Sequence, residues 1–331
     1  MKYLKEILAN KKKEIKNLQK NYRNFLSLEN LKLSFENPKL NFEKLRLSPE
    51  EPKLSLEKLS LSSEKLILNS EKAILNSKDP KLNSEKPKAD DLISKLKNSK
   101  KDLFIIAEIK KSSPSKGVLK ESLDLREIIK AYNAFSDVVC AISVITETLY
   151  FKGSPFFIPE VKKYAISPIL RKDFIFNKIQ VLESFLLGAD FILLIATLLS
   201  EKRLKELFYF ACSLGLGVLV ETHNKADFDK AFNVGAEFIG INNRNLKTMK
   251  VDIKNTQEIL NYALQKFGKK KLDEKILVCE SGIDSVETMA NFKKLGINVF
   301  LIGTHFMQSK DLISTLEEIR SEIRTHLTHL I

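Results

Sequence analysis

The chain has 331 residues, of which 44% are hydrophobic and 29% are charged. This is enough for one large buried core or two modest ones. No apolar stretch approaches the roughly 20 residues that a membrane-spanning helix needs. The charged N-terminus also lacks the pattern of a signal or transit peptide. A membrane protein is therefore not expected.

The net charge of +13 is concentrated at one end. Residues 1–25 carry eight Lys and Arg against two Glu, and residues 26–88 carry twelve basic against ten acidic residues. The N-terminal excess lies on a predicted amphipathic helix, without the interleaved aromatic residues typical of a nucleic-acid-binding stripe. A solvated basic surface is therefore favoured over nucleic-acid binding.

The cysteines and histidines argue for a reduced, metal-free protein. Cys140, Cys212 and Cys279 each stand alone in an apolar segment, which predicts reduced core residues in a cytoplasmic protein. The four histidines show no spacing typical of metal ligands on one element. We expect no metal site.

A tandem repeat separates the N-terminal helix, residues 1–25, from the rest of the chain. Residues 26–88 form nine consecutive seven-residue units, each opening with Leu followed by Ser or Asn. A leucine every seventh residue suggests a coiled coil, but each proline in the repeat would cost a helix interior about 3 kcal/mol. We expect a mostly disordered low-complexity insertion, with a short helical array as the alternative.

Residues 89–331 alternate between apolar runs and helical patterns. The predicted buried strands are Phe104–Ile109, Val138–Ile145, Ser167–Leu170, Phe191–Ile195, Gly217–Val220, Phe238–Ile241, Ile276–Cys279 and Val299–Ile302. The predicted helices are Leu125–Phe135, Pro159–Ala165, Lys178–Leu187, Glu201–Leu214, Ala226–Val234, Thr256–Phe267, Val286–Leu295 and one from Leu312. This order predicts an α/β fold, a (β/α)8 TIM barrel. An open doubly wound sheet is the competing fold, but no G-x-G-x-x-G follows the first strand.

Polar residues follow seven of the eight predicted strands, where such barrels form their active sites. Glu108 and Lys110 alternate at the end of the first strand, so both side chains should face the same way. The remaining polar ends are Thr146–Glu147, Arg171–Asp173, Glu221, Asn242–Arg244, Glu280–Gly282 and Gly303–Thr304. A solvated loop explains any one of them, whereas the set predicts an anionic substrate handled by paired acids and bases. The small residues of the last two ends suit a phosphate, with tight turns as the alternative.

Eight co-linear segments between residues 89 and 320 closely resemble the motifs of the indole-3-glycerol-phosphate synthase family: IAEIKKSSPSKG, SVITETLYFKGS, PILRKDFIF, GADFILLIATLL, LVETHNKADFDKA, IGINNRNLKT, VCESGI and FLIGTHFM. The resemblance implies a carbon–carbon lyase of tryptophan biosynthesis that needs no cofactor or metal. Its substrate would be 1-(2-carboxyphenylamino)-1-deoxyribulose 5-phosphate, which the family decarboxylates, cyclises and dehydrates. The expected partner is this small phosphorylated molecule, with neither nucleic acid nor membrane, and the expected state is a monomer.

The resemblance also implies catalytic residues. Lys172 in LRKDF matches the general acid of ring closure, and Glu221 in LVET matches the acid/base group used in loss of water. Glu108 and Lys110 match a pair in the first loop that transfers protons and meets the anionic groups of the substrate. Asn242 matches a polar residue that orients the substrate.

The binding residues follow from the same motifs. Ser113 matches a serine of a mobile first loop, and Phe151 matches an aromatic residue around the anthranilate ring. Arg244 matches a substrate-orienting residue, and Glu280 lies beside the carboxylate and amine region. The implied phosphate-site residues are Ser281, Gly282, Gly303 and Thr304.

The residue types fit this chemistry, since ring closure on a ketone needs a proton donor and dehydration needs an acid and a base. Two features depart from the family. Thr304–His305 stands where a serine is usual, and the repeat fills a normally short link, which puts the docking of the first helix in question. Rival interpretations are a sugar-phosphate isomerase, a fusion with a phosphoribosylanthranilate isomerase barrel, and an inactive barrel with a partner-binding repeat.

Overall fold

The computed structural model describes residues 2–25 and 88–328. Within these ranges, eight parallel strands close into a barrel in chain order, with β1 hydrogen-bonded to both β2 and β8. The strands are β1 (Phe104–Ile109), β2 (Val139–Ile145), β3 (Ile169–Lys172), β4 (Phe191–Ile195), β5 (Gly217–Thr222), β6 (Phe238–Asn242), β7 (Ile276–Glu280) and β8 (Val299–Ile302). The predicted TIM barrel is confirmed.

Helices surround the barrel and fill the connections between its strands. They are α1 (Lys2–Phe25), α2 (Lys88–Asn98), α3 (Leu125–Ala134), α4 (Phe157–Lys162), α5 (Lys178–Leu186), α6 (Glu201–Ser213), α7 (Lys225–Asn233), α8 (Lys254–Phe267), α9 (Lys269–Asp273), α10 (Val286–Lys294), α11 (Thr304–Gln308) and α12 (Leu312–Thr328). The side chains of Asp124, Ser200 and Ser285 cap α3, α6 and α10 by accepting a backbone N–H three residues ahead.

The apolar residues form two layers, because successive strand side chains point to opposite faces. Outward-facing residues pack under the helices. Inward-facing residues fill the barrel, among them Phe191 and Phe238, whose ring centroids lie 5.6 Å apart. Ala89, Leu92 and Leu96 of α2 join this inner cluster. Helix α2 therefore covers the end where the strands begin, and the other end is left for chemistry.

Helix α1 crosses the end where the strands finish. Ile7 and Ile15 are buried, and Lys11 forms an ion pair at 2.9 Å with Asp173, the residue after β3. The Tyr150 hydroxyl, in the loop after β2, donates to Glu6. A further hydrogen bond joins Tyr3 of α1 to the backbone oxygen of Leu246, after β6. The first helix therefore docks on the barrel, although the repeat fills the link.

The structure corrects three details of the sequence analysis. The third strand is β3, two residues later than the predicted Ser167–Leu170, because its charged end is buried in ion pairs. Cys140 and Cys279 are buried, but Cys212, on α6, is exposed. Helices α2, α9 and α11 were not among the predicted helices.

Two further findings bear on the predictions for the whole chain. Within the described ranges, no helix is both long and apolar enough to span a membrane. The predicted disordered insertion at 26–88 lies outside the described residues, except for Lys88, which begins α2. The proposed division at 1–25, 26–88 and 89–331 stays a prediction.

Candidate active site

Four charged side chains from the odd-numbered strands meet inside the open end of the barrel. They are Glu108 of β1, Lys172 of β3, Glu221 of β5 and Glu280 of β7. Alternate strands of such a barrel contribute to the same interior layer, which explains why these four lie at one depth. The three glutamates are at most 3% exposed. We call these four residues the inner charge layer.

Lys172 is the central cation of the inner charge layer. Its Nζ lies 3.1 Å from Glu221 Oε2 and 3.5 Å from Glu280 Oε2. Burial alone would lower the pKa of Lys172, but the charges of Glu221, Glu280 and Glu108 more than offset burial, and the net pKa is raised. Lys172 is therefore a protonated donor at neutral pH.

The two carboxyl groups beside Lys172 differ in protonation. Burial raises the pKa of Glu221, but Lys172 and His223 more than offset this, and its net pKa lies well below the usual value. Burial and the nearby negative charge of Glu221 raise the pKa of Glu280 well above the usual value. Two neighbouring groups with separated pKa values are the arrangement that supports acid and base roles in one site.

Glu108 and Lys110 form the second ion pair of the site, with 2.6 Å between Oε1 and Nζ. The prediction that both side chains face the same way is confirmed. Gly303, after β8, gives them room, because a Cβ there would lie 2.5 Å from Glu108 Oε1 and 3.0 Å from Lys110 Nζ. Gly240 has the same role beside Glu280, since a Cβ at Gly240 would overlap Glu280 Oε1.

The loop after β1 folds back over this pair as a short hairpin. Ser112–Ser113 pairs with Gly117–Val118, and the Ser113 hydroxyl accepts the N–H of Lys116 at 3.2 Å. The Ser112 N–H donates to the Phe151 carbonyl at 3.1 Å. Phe151, half-buried, is thus joined through its backbone to the hairpin, and the first two loops form one wall of the site.

The end of β6 supplies a third cation to the site, after Lys172 and Lys110. Asn242 Oδ1 accepts the N–H of Arg244 at 2.9 Å, which turns the chain out of the strand. Arg244 Nη1 then donates to the Met249 carbonyl at 3.1 Å and to Ser115 Oγ of the first loop at 3.4 Å. Arg244 therefore connects the sixth loop to the first.

The four implied phosphate-site residues lie side by side at the ends of β7 and β8. Glu280 pairs with Leu301, which brings the residues that follow each strand next to one another. Ser281 and Gly282 have φ values of 67° and 80°, so the backbone turns sharply after β7. All the predicted site residues therefore line one end of the barrel. Asn242, for which a catalytic role was predicted, uses its Oδ1 to accept the N–H of Arg244 in its own loop.

The sequence analysis missed one functional candidate, His223. Its Nε2 lies 3.2 Å from Glu221 Oε1, on the side of the carboxylate opposite Lys172. The signal was present in the triplet Glu221-Thr222-His223, which spans the end of β5 and the next residue, because residues two apart on an extended chain face the same way. Lys11 was also missed, and its contact with Asp173 has no local signal because 162 positions separate the two residues.

Comparisons with known proteins agree with this geometry. The family model described as indole-3-glycerol phosphate synthase matches residues 56–319. The indole-3-glycerol phosphate synthase of Campylobacter jejuni subsp. jejuni serotype O:6 is 44% identical over 221 residues, covering 67% of this chain and 82% of the relative. The Acetivibrio thermocellus enzyme of that name is 41% identical over 231 residues, covering 70% of this chain and 85% of that relative. This chain belongs to the indole-3-glycerol phosphate synthase family.

Proposed function

We propose that Lys172 and Glu221 carry the proton transfers of indole-3-glycerol phosphate synthesis in this chain. The family identifies the protein as a decarboxylating lyase of tryptophan biosynthesis. The observation that carries the proposal is the buried 3.1 Å contact between Lys172 Nζ and Glu221 Oε2 at the centre of the inner charge layer.

Ring closure is assigned to Lys172. Attack of the aromatic carbon on the ketone leaves negative charge on the ketone oxygen, and a protonated amine can neutralise it as it forms. The raised pKa of Lys172, which its three carboxylate neighbours produce in spite of burial, keeps that proton available. Loss of CO2 then restores the aromatic ring, so the decarboxylation step needs no further acid.

Dehydration is assigned to Glu221. The new hydroxyl must leave as water, which needs one proton, and the neighbouring ring carbon must lose one. The low pKa of Glu221, which Lys172 and His223 hold down against burial, keeps its carboxylate ionised and therefore free to accept a proton. Glu280, whose pKa burial and Glu221 raise, supplies a neutral carboxyl group for hydrogen bonding to the substrate.

Binding of the anionic groups is assigned to the cations and small residues around the layer. Lys110 and Arg244 lie where positive charge can meet the carboxylate and phosphate of the substrate. Asn242 and Ser113 would orient it, Phe151 would pack against its ring, and Glu108 would position Lys110. The phosphate is assigned to Ser281, Gly282, Gly303 and Thr304. A cytoplasmic, monomeric enzyme is the state we propose.

A fluorescence assay on the purified full chain tests the assignment. The chain is mixed with 1-(2-carboxyphenylamino)-1-deoxyribulose 5-phosphate, and indole fluorescence and CO2 are followed together. Equal amounts of both products are expected. A chain that releases neither product would overturn the assignment, and CO2 without indole would point to a site that fails at dehydration.

A further inference from the structure

His223 joins the candidate acid/base group to the protein surface. Its side chain is 8% exposed, with Nε2 3.2 Å from Glu221 Oε1. Its other ring nitrogen, Nδ1, lies 3.1 Å from the hydroxyl of Thr197, in the exposed loop after β4. The two nitrogens therefore connect a buried carboxylate to a group that solvent can reach.

The partners of Thr197 fix the direction of these hydrogen bonds. The Thr197 hydroxyl donates to Asp227 Oδ2, at the start of α7. Asp227 Oδ2 also accepts the backbone N–H of His223 at 3.3 Å and the Asn224 amide at 2.8 Å. A hydroxyl has one proton, and a carboxylate cannot donate. Since Thr197 gives its proton to Asp227, its oxygen must accept the Nδ1 proton of His223.

This assignment decides what can lie between His223 and Glu221. A neutral imidazole with its proton on Nδ1 has only a lone pair on Nε2. That lone pair would lie 3.2 Å from a carboxylate oxygen, which is repulsive, and Nε2 has no hydrogen-bond partner among the described residues. The contact is attractive only when one proton lies between the two groups, on His223 or on Glu221. A proton shared between the two groups would remove this repulsion.

We propose that His223 is a positioning residue that keeps this shared proton available to Glu221 for the dehydration step. The inference rests on the role proposed above for Glu221. The pair gives its proton through Glu221 to the hydroxyl oxygen, which leaves as water with the electron pair of the C–O bond. Glu221 then takes the proton lost by the neighbouring ring carbon and shares it again with His223. Protons and electrons balance within the site, and Thr197 offers exchange with solvent.

Single-turnover kinetics on the full chain separates this role from a structural one, because CO2 is lost before water. We expect His223→Gln to release CO2 within about threefold of the wild-type rate and to form the indole product at least about tenfold more slowly. A glutamine amide can still donate a hydrogen bond to Glu221 but cannot give up its proton. A lag between the two signals is the expected signature.

Thr197→Val provides a second variant that leaves His223 in place. Without the Thr197 hydroxyl as acceptor, no hydrogen bond at Nδ1 fixes the tautomer of the His223 ring. We therefore expect the same lag between CO2 and indole formation, but a smaller one. His326→Gln, on the remote helix α12, is the matched control and should follow the wild type in both signals. Thermal unfolding of each variant checks that it is folded.

The outcomes separate this inference from the function on which it rests. His223→Gln with wild-type rates for both products, or with both rates reduced equally, would overturn the role of His223 while leaving the proposed function unaffected. A wild-type chain that forms no product would instead overturn the proposed function, and the inference with it. If His223→Gln does not fold, the absence of a lag in Thr197→Val overturns the inference.

Discussion

Two neighbouring residues of β3 belong to two different charge clusters, which differ in how completely their acids are paired with cations. Arg171 points outward, with Nη2 2.7 Å from Glu183 and 3.3 Å from Asp173, and Lys11 of α1 completes this outer cluster. Lys172 points inward, where it alone lies between Glu221 and Glu280. Each buried acid of the outer cluster has a cation within 3.3 Å, whereas Glu221 and Glu280 share the single lysine between them.

The pKa values reflect this difference. In the outer cluster, burial raises the pKa of Asp173, but Lys11 and Arg171 more than offset it, and the net pKa is lowered. In the inner charge layer, burial and Glu221 raise the pKa of Glu280. Full pairing fixes one protonation state and suits a structural role. Incomplete pairing leaves a proton that can move, which suits catalysis.

The largest expected effect comes from breaking the outer cluster. Lys11→Met removes a cation that is 1% exposed, leaving Asp173 with one charged partner fewer. Removing one partner of a buried pair costs about 3 kcal/mol or more. We expect the free energy of unfolding in urea to fall by that amount, while Lys13→Met, an exposed position on the same helix, serves as the control. A Lys11 variant as stable as the Lys13 variant would contradict the structural role of this cluster.

Breaking the inner charge layer should affect turnover instead. We expect Lys172→Ala and Glu221→Gln each to lower kcat by about 10²-fold or more, because each removes a proton-transfer group. Steady-state fluorescence assays measure this, with Lys163→Ala, at an exposed position beside Glu160, as the control. Turnover close to wild type in either variant would remove that residue from the mechanism.

A smaller effect on stability is expected when a substitution makes the inner charge layer resemble the outer cluster. Glu280→Gln replaces a carboxyl group whose folded pKa is raised by burial and by Glu221. Above the ordinary value of 4.5 the unfolded chain loses this proton while the folded chain keeps it, so wild-type stability falls as pH rises. We expect the variant to be more stable at pH 8 by on the order of 1 kcal/mol.

Thermal unfolding of wild type and Glu280→Gln at two pH values measures that difference. The gain in stability of Glu280→Gln over wild type should be larger at pH 8 than at pH 5. Only the wild type has a carboxyl group at this position, and that group loses its proton on unfolding at the higher pH. A gain that shrinks with rising pH would mean that Glu280 is ionised in the folded protein.

The barrel itself could be predicted from hydrophobic patterning. The predicted bounds of β1, β4 and β8 match the structure, because each of these strands begins and ends with an apolar residue. The prediction for β3 was wrong because Arg171 and Lys172 look like loop residues. Arg171 is buried against Asp173 and Glu183. Lys172 is largely enclosed by acids from two distant strands, which a local pattern cannot show.

The site was predictable where it depends on alternation or on the family motifs. Glu108 and Lys110 share a face because they stand two residues apart on a strand. The direction of the hydrogen bond between His223 and Thr197 depends on a third residue, Asp227, and on the folding of two separate loops. Such a network is defined by atoms within about 3 Å in space, and no spacing in the chain encodes it.

Gly240 has a consequence for how this site can change in evolution or design. A methyl group at position 240 would occupy the space of Glu280 Oε1, so the two positions share one volume. Gly240→Ala should then be tolerated better beside Glu280→Asp, whose shorter side chain vacates that space. A double-mutant cycle on thermal stability should give a nonzero coupling energy, where independent positions would give none. Positions 240 and 280 are therefore expected to change together. The glutamate of β7 depends on the glycine of β6, which leaves room for its carboxyl group.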